Sequence, residues 1–202
     1  MKNVHKVMVG LAGAFLLLPF LFSCSSSKGG ANTMMKSAEE FIPLAVGNQW
    51  IYTYGFDDDP SKQQITVVGS ITRDGIEWFQ VEYTFQGSRT ADTLLLRNDG
   101  HRHIAYLRSL KEESVLIDFS KTELDSARLE MAVAKEQNKV VEIEGRTYTG
   151  CAVVSSGFMD AGVETYAPGV GLVESWWFRG RKKLVGGIIN GKKIEAESSL
   201  PR

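Results

Sequence analysis

Ile76-Glu77-Trp78-Phe79-Gln80-Val81-Glu82-Tyr83-Thr84-Phe85 alternates. In an extended chain Phe79, Val81, Tyr83 and Phe85 fall on one side, and Gln80, Glu82 and Thr84 fall on the other with Trp78. A period of two predicts a half-buried strand. Directly before it stands Asp74-Gly75, which suits a type I′ turn, where both central residues take positive φ. The same punctuation recurs at Asp99-Gly100, Glu144-Gly145, Ala161-Gly162 and Asn190-Gly191. Trp50, Tyr52 and Tyr54 repeat the alternation, as do Val141 and Ile143 with Glu142 and Glu144 opposed. Hairpins in series with one wet face make an antiparallel sheet. The expected fold is therefore all-β, or β-rich with one helix: a single curved antiparallel sheet, an open half-barrel built from consecutive hairpins, over residues 41–202. The one helix is expected over Thr122–Gln137. There Thr122 and Asp125 are placed as in a capping box, and Leu124, Ala127, Arg128, Met131 and Ala134 follow at helical spacing. The same stretch also alternates as Leu129, Met131 and Val133, so a strand remains the alternative.

The front of the chain carries an address. Met1–Lys6 has Lys2 and Lys6 and no acid, Val7–Phe22 has no charge, and Leu21-Phe22-Ser23-Cys24 follows. A basic start, an apolar run and a small residue before the cut make a secretory signal. The apolar run is shorter than the ~20 residues of a spanning helix, and Pro19 interrupts it. Leu21, Ser23 and Cys24 resemble the bacterial lipobox, in which the cysteine is acylated, although Phe22 departs from its small or β-branched residue. The expected layout is a lipoprotein signal peptide over 1–23, then a lipidated Cys24 and flexible tether over 24–40, then the β domain. Several acyl chains on Cys24 would hold the membrane durably. Ser25 behind the cysteine implies the outer membrane, with the protein facing the periplasm.

Charge and cysteine content exclude several classes. The chain has 202 residues, with 23 Lys and Arg against 24 Asp and Glu. Removing 1–23 takes away Lys2 and Lys6, so the mature charge is 21 − 24 = −3. No basic stripe is present, and neither nucleic acid nor nucleotide is expected as a partner. With Cys24 acylated, Cys151 is left without a bridging partner, in the apolar run Cys-Ala-Val-Val, where a buried structural thiol is expected.

Motifs for chemistry are weak. His101 and His103 would share a face on a strand and could meet one metal, but nothing nearby supplies further ligands. Solvent-facing turn residues are the plainer expectation. Asp57-Asp58-Asp59 lacks the spacing of a calcium loop. Gly186–Lys192 matches G-x-x-x-x-G-K, but Lys193 follows where Ser or Thr is needed, and Asn190-Gly191 is a turn signal. No cofactor and no catalytic residue is expected. The aromatics Trp50, Tyr52, Tyr54, Trp176 and Trp177 are the candidates for facing a ligand or partner. Trp176 and Trp177 are adjacent, so one indole must leave the side of the other. An exposed Trp177 would mark a binding surface.

Two anchors carry a family resemblance. Pro43-Leu44-Ala45-Val46-Gly47-Asn48-Gln49-Trp50-Ile51-Tyr52 stands near the start of the domain, and Tyr166-Ala167-Pro168-Gly169-Val170-Gly171-Leu172-Val173 near its end. Their order resembles a class of bacterial envelope lipoproteins without assigned activity, with motifs P-L-x-x-G-N-x-W-x-Y and Y-A-x-G-V-G-L-V. By fold analogy that class lies near the half-barrel lipoprotein carriers LolA and LolB. The resemblance implies no catalytic residues. Together these readings predict a non-enzymatic envelope lipoprotein that binds an apolar ligand or lipidated partner in a concave sheet. The alternatives are a scaffold docking another envelope protein, and a metal-assisted enzyme at His101 and His103.

Overall fold

Alternation is realised in strand after strand. The computed structural model describes residues 36–55, 60–123, 132–156, 162–177 and 180–195, all within one unit, Met34–Arg202. A single helical turn, α1 (Ala38–Phe41), precedes β1 (Gln49–Gly55), β2 (Ser61–Arg73), β3 (Ile76–Phe85), β4 (Asp92–Asp99), β5 (Arg102–Leu107) and β6 (Glu112–Asp118). Then come β7 (Ala132–Ile143), β8 (Arg146–Ser156), β9 (Val163–Ala167), β10 (Gly171–Trp177), β11 (Gly180–Ile189) and β12 (Lys192–Glu195). Each strand pairs with the next in sequence order. At three turns both central residues have positive φ, as the type I′ signal requires: Asp74 and Gly75, Glu144 and Gly145, Asn190 and Gly191. At the fourth, Asp99 stays in β4 opposite Arg102, and Gly100-His101 makes the loop. Ala161 lies outside the described residues.

The expected open half-barrel is wrong in one respect: the sheet closes. β1 pairs antiparallel with β11, from Gln49 opposite Ile188 to Gly55 opposite Arg181, making an 11-strand barrel. Alternation is a local property and is the same in an open or a closed sheet, so it could not reveal this. Closure depends on glycine. A Cβ on Gly187 would lie 2.2 Å from the Gln49 carbonyl oxygen, and one on Gly180 would lie 2.6 Å from that of Gly55. Both ends of the seam thus need the backbone to approach closer than any side chain allows. β12 lies outside the ring, pairing with Gly186–Ile189 beyond the part of β11 that meets β10.

The expected helix over Thr122–Gln137 is also corrected. Ala132 onward is β7, paired with β8 from Ala132 opposite Ser156 to Ile143 opposite Arg146; 124–131 lies outside the described residues. Helix propensity is worth only tenths of a kcal/mol per residue, and the ladder to β8 overrides it. Among the described residues β7 joins β6 in parallel through two register pairs, Ile117 with Ala132 and Asp118 with Val133. A parallel neighbour needs a crossover rather than a hairpin, which accounts for the long connection after Asp118.

Inward residues form the main core, including Trp50, Tyr52, Val67, Val81, Leu96, Ala105, Ile143, Cys151 and Leu184. α1 packs on a second cluster, its Phe41 ring stacked 4.8 Å from Phe119. The Ala38 N–H donates to the Gly100 carbonyl and the Gly169 N–H to the Glu40 carbonyl, tying α1 to two loops of the barrel. Ala38 and Phe41 are thus buried against the barrel. A third cluster, Trp78, Leu95, Ile104 and Tyr106, lies on the outward side of β3 to β5. Trp78 belongs to the wet face by alternation, yet it is 1% exposed. Tyr106 packs edge-on against its ring, and the Arg97 guanidinium lies 5.2 Å from it.

Candidate functional site: the barrel interior

Alternation sends one side of each strand inward, and where these side chains do not meet they leave a cavity of about 290 Å³. Its wall is mostly apolar: Trp50 from β1, Ile65 from β2, Val81 from β3, Leu96 from β4, Leu116 and Ile117 from β6, Ala132 from β7 and Leu172 from β10, with Ile42 and Leu44 from the segment after α1. Polar groups enter from Tyr52, Tyr83, His103, Glu164, Tyr166 and Lys182. An apolar wall with a few convergent polar groups is the general form of a small-molecule site.

The polar groups are held in fixed relations. The Tyr166 hydroxyl donates to Glu164 Oε2 at 2.7 Å, and the Tyr52 hydroxyl donates to the Leu172 carbonyl at 3.0 Å. Burial, and then nearby charge and phenol groups, push both hydroxyls well above the ordinary tyrosine pKa. Burial, followed by the charge of Glu164, pushes Tyr83 up to about 12. All three phenols are therefore protonated donors at neutral pH. Lys182 Nζ lies 5.3 Å from the Tyr52 ring centre and 5.6 Å from that of Trp177. Burial lowers its pKa, and the Glu164 carboxylate opposes that shift. Among the described residues Lys182 has no carboxylate within 4.0 Å: Lys183 next to it points the other way, to Glu144. The aromatic faces supply part of the stabilisation a paired anion would give.

His103 is the corrected residue. It does not face solvent from a turn; it is buried on β5 and lines the cavity. The Asn98 amide donates to the Ile42 carbonyl at 2.7 Å, so Asn98 Oδ1 faces His103 Nδ1 at 2.8 Å as an acceptor. Nδ1 therefore carries the proton and Nε2 is the acceptor. Burial lowers the imidazole pKa to about 4, so it is neutral. His101 lies in the turn, with Nδ1 3.1 Å from the Lys36 carbonyl oxygen. Among the described residues no group of three or more His, Cys, Asp and Glu side chains is arranged to hold a metal ion.

The sequence candidates divide. Trp50 and Tyr52 line the cavity, and the Trp50 indole donates to the Val170 carbonyl at 2.6 Å. Tyr54 packs at the side of Trp177, ring centres 5.5 Å apart, away from the cavity wall. Trp177 is half-buried, and it is Trp176 that faces out, 50% exposed beneath the Arg181 guanidinium at 4.1 Å. Cys151 is buried and its thiol pKa is raised by burial, with Lys36 opposing. Gly186–Lys192 is the β11–β12 hairpin. Cys24 and Asp57-Asp58-Asp59 lie outside the described residues. Glu164, Tyr166, Lys182 and Tyr83 were missed as site residues. One signal was available: Lys182 shares a side with apolar Leu184, whereas Arg181 and Lys183 pair with acids on the other side.

No protein-family model and no curated protein matches this sequence. A crystal structure of a Bacteroides fragilis protein, described as exported and as having a YmcC-like fold, is similar over 77% of this chain and 99% of that chain, at 10% identity and a TM-score of 0.45. At that distance neither fold nor activity passes from one protein to the other.

Proposed function

We propose that this chain is a non-enzymatic, lipid-anchored envelope protein that binds a small apolar or amphipathic molecule inside its barrel. The observation that carries this reading is the interior cavity, with its apolar wall and clustered polar groups. At about 290 Å³ it lies at the lower end of the ~300–1,000 Å³ of ligand sites. One small molecule suits that volume, and the several acyl chains of a lipidated partner do not. The raised phenol pKa values make weak acids, and the lowered His103 pKa makes a weak base; both suit hydrogen bonding to a guest. The address rests on the signal-like stretch 1–23 and on Cys24 behind it, with the outer membrane and its periplasmic face implied by Ser25.

The test is binding of the apolar dye N-phenyl-1-naphthylamine. Saturable fluorescence enhancement is expected for the natural chain and strong loss of it for Ile65→Trp, which fills the cavity. A dye that binds neither chain, or both equally while both keep native circular dichroism, would overturn the reading. Mass spectrometry of the mature N-terminus tests the anchor: a bare Cys24 thiol removes it.

A second reading, docking of another envelope protein, is favoured by Trp176 on the outer face. Trp176→Ala should then abolish capture of a partner without lowering thermal stability. Unchanged capture counts against that surface.

A further inference from the structure

Glu164, Ser175 and Lys182 form one row across β9, β10 and β11: Ser175 is the register partner of Glu164 on one side and of Lys182 on the other. The two charged residues are thus two strand spacings apart, roughly 9–10 Å between backbones. That stagger keeps them from closing on each other, and among the described residues no carboxylate lies within 4.0 Å of the Lys182 ammonium. Both line the same cavity. Between them Ser175 is fully buried, and its hydroxyl has no hydrogen-bond partner among the described residues. The cavity therefore holds one ammonium and one carboxylate, formally neutral in sum, separated and facing a common space.

We infer that the barrel selects an amphiphile whose head group is uncharged and carries both an acceptor and a donor, such as a primary alcohol or amide, held between Lys182 and Glu164 with its short hydrocarbon tail against the apolar wall. This rests on the cavity-binding reading above. Lys182 donates to the head group's oxygen. Glu164 accepts from its O–H or N–H with the lone pairs that Tyr166 leaves free. A neutral head meets both residues and leaves the net charge of the site at zero. A carboxylate head would satisfy Lys182, but it would add a second anion beside Glu164 in a partly buried site; an ammonium head would add a second cation beside Lys182. Tyr52 and Trp177, whose rings flank the Lys182 ammonium, stabilise its charge.

The test is displacement of the naphthylamine dye from the full chain at pH 7 by octan-1-ol, octanamide, octanoate and octylammonium. The two neutral compounds should displace it at concentrations at least tenfold lower than either ion. Glu164→Gln leaves the ammonium alone and should move octanoate to first rank. Lys182→Met leaves the carboxylate alone and should move octylammonium to first rank. Both replacements are close in size to the originals, and either variant that keeps native near-ultraviolet circular dichroism suffices. Octanoate or octylammonium matching the neutral compounds on the natural chain, or a ranking unmoved by the variants, overturns the head-group assignment and leaves cavity binding standing. Failure of the dye itself to bind overturns the cavity reading instead.

Discussion

Burial holds the His103 imidazole neutral, and this has a measurable cost in acid. The unfolded chain takes up a proton near the ordinary histidine value of 6.5, and the folded chain only near 4. Between those values the unfolded state binds more protons, so stability falls as pH falls. The contribution is complete above about pH 6.5 and is lost progressively toward pH 4. Its size is about 3 kcal/mol, at ~1.4 kcal/mol per pH unit. Chemical denaturation from pH 7 to pH 4 should show this loss in the natural chain and a flatter profile in His103→Asn, whose amide nitrogen takes the place of Nδ1 toward Asn98. Equal slopes for the two chains would remove His103 as the cause. The inward place of His103 was within reach of the alternation, because Ala105 shares its side. Its neighbour Gly100-His101 disguised it, since a histidine soon after a turn signal suggests water.

At the level of elements, alternation located β3 and parts of β1 and β7, the X-Gly signals located three of the tight turns, and alternation assigned Val81 and Tyr83 to the core side of β3. It failed where pairing partners are distant in sequence. Nothing near Gly180 or Gly187 announces that β1 must come within contact distance. Gly187→Ala drives a methyl group into the Gln49 carbonyl and should destabilise the protein by about 3 kcal/mol or more, seen as a lower denaturant midpoint. Gly191→Ala is the control: a Cβ there meets no atom within 4 Å, so only its positive φ resists the change. A Gly187→Ala chain as stable as the control would mean that the seam is looser than described. β7 failed for a related reason. Its alanines, glutamates and lysines favour a helix in isolation, and only the ladder to β8, formed after the Glu144-Gly145 turn, makes them a strand. The outward Trp78 cluster escaped notice because alternation gives the direction of a side chain and not what covers it.

For the whole molecule, the described residues of the ring are unevenly fastened. β1 and β11 are joined along the length of β1, whereas among the described residues β6 and β7 share two register pairs. Native-state hydrogen exchange should find the backbone amides at 132–134 opening at least tenfold faster than those at 50–54. Uniform protection around the ring would contradict that difference. The cavity touches this weaker seam through Leu116, Ile117 and Ala132, so a guest held inside should slow exchange there most. A cavity of this kind could not have been placed from the sequence, because it is the space left by side chains from most of the circumference.

The parallel junction follows from counting. Mark each stave of the ring by whether it runs up or down. Around a closed circle the two marks can alternate without fault only when the staves are even in number. Eleven cannot alternate, so one place must bring two like-directed neighbours together, and here that place is β6 beside β7. Losing or gaining a single stave would reverse every later one and abolish the need for the fault.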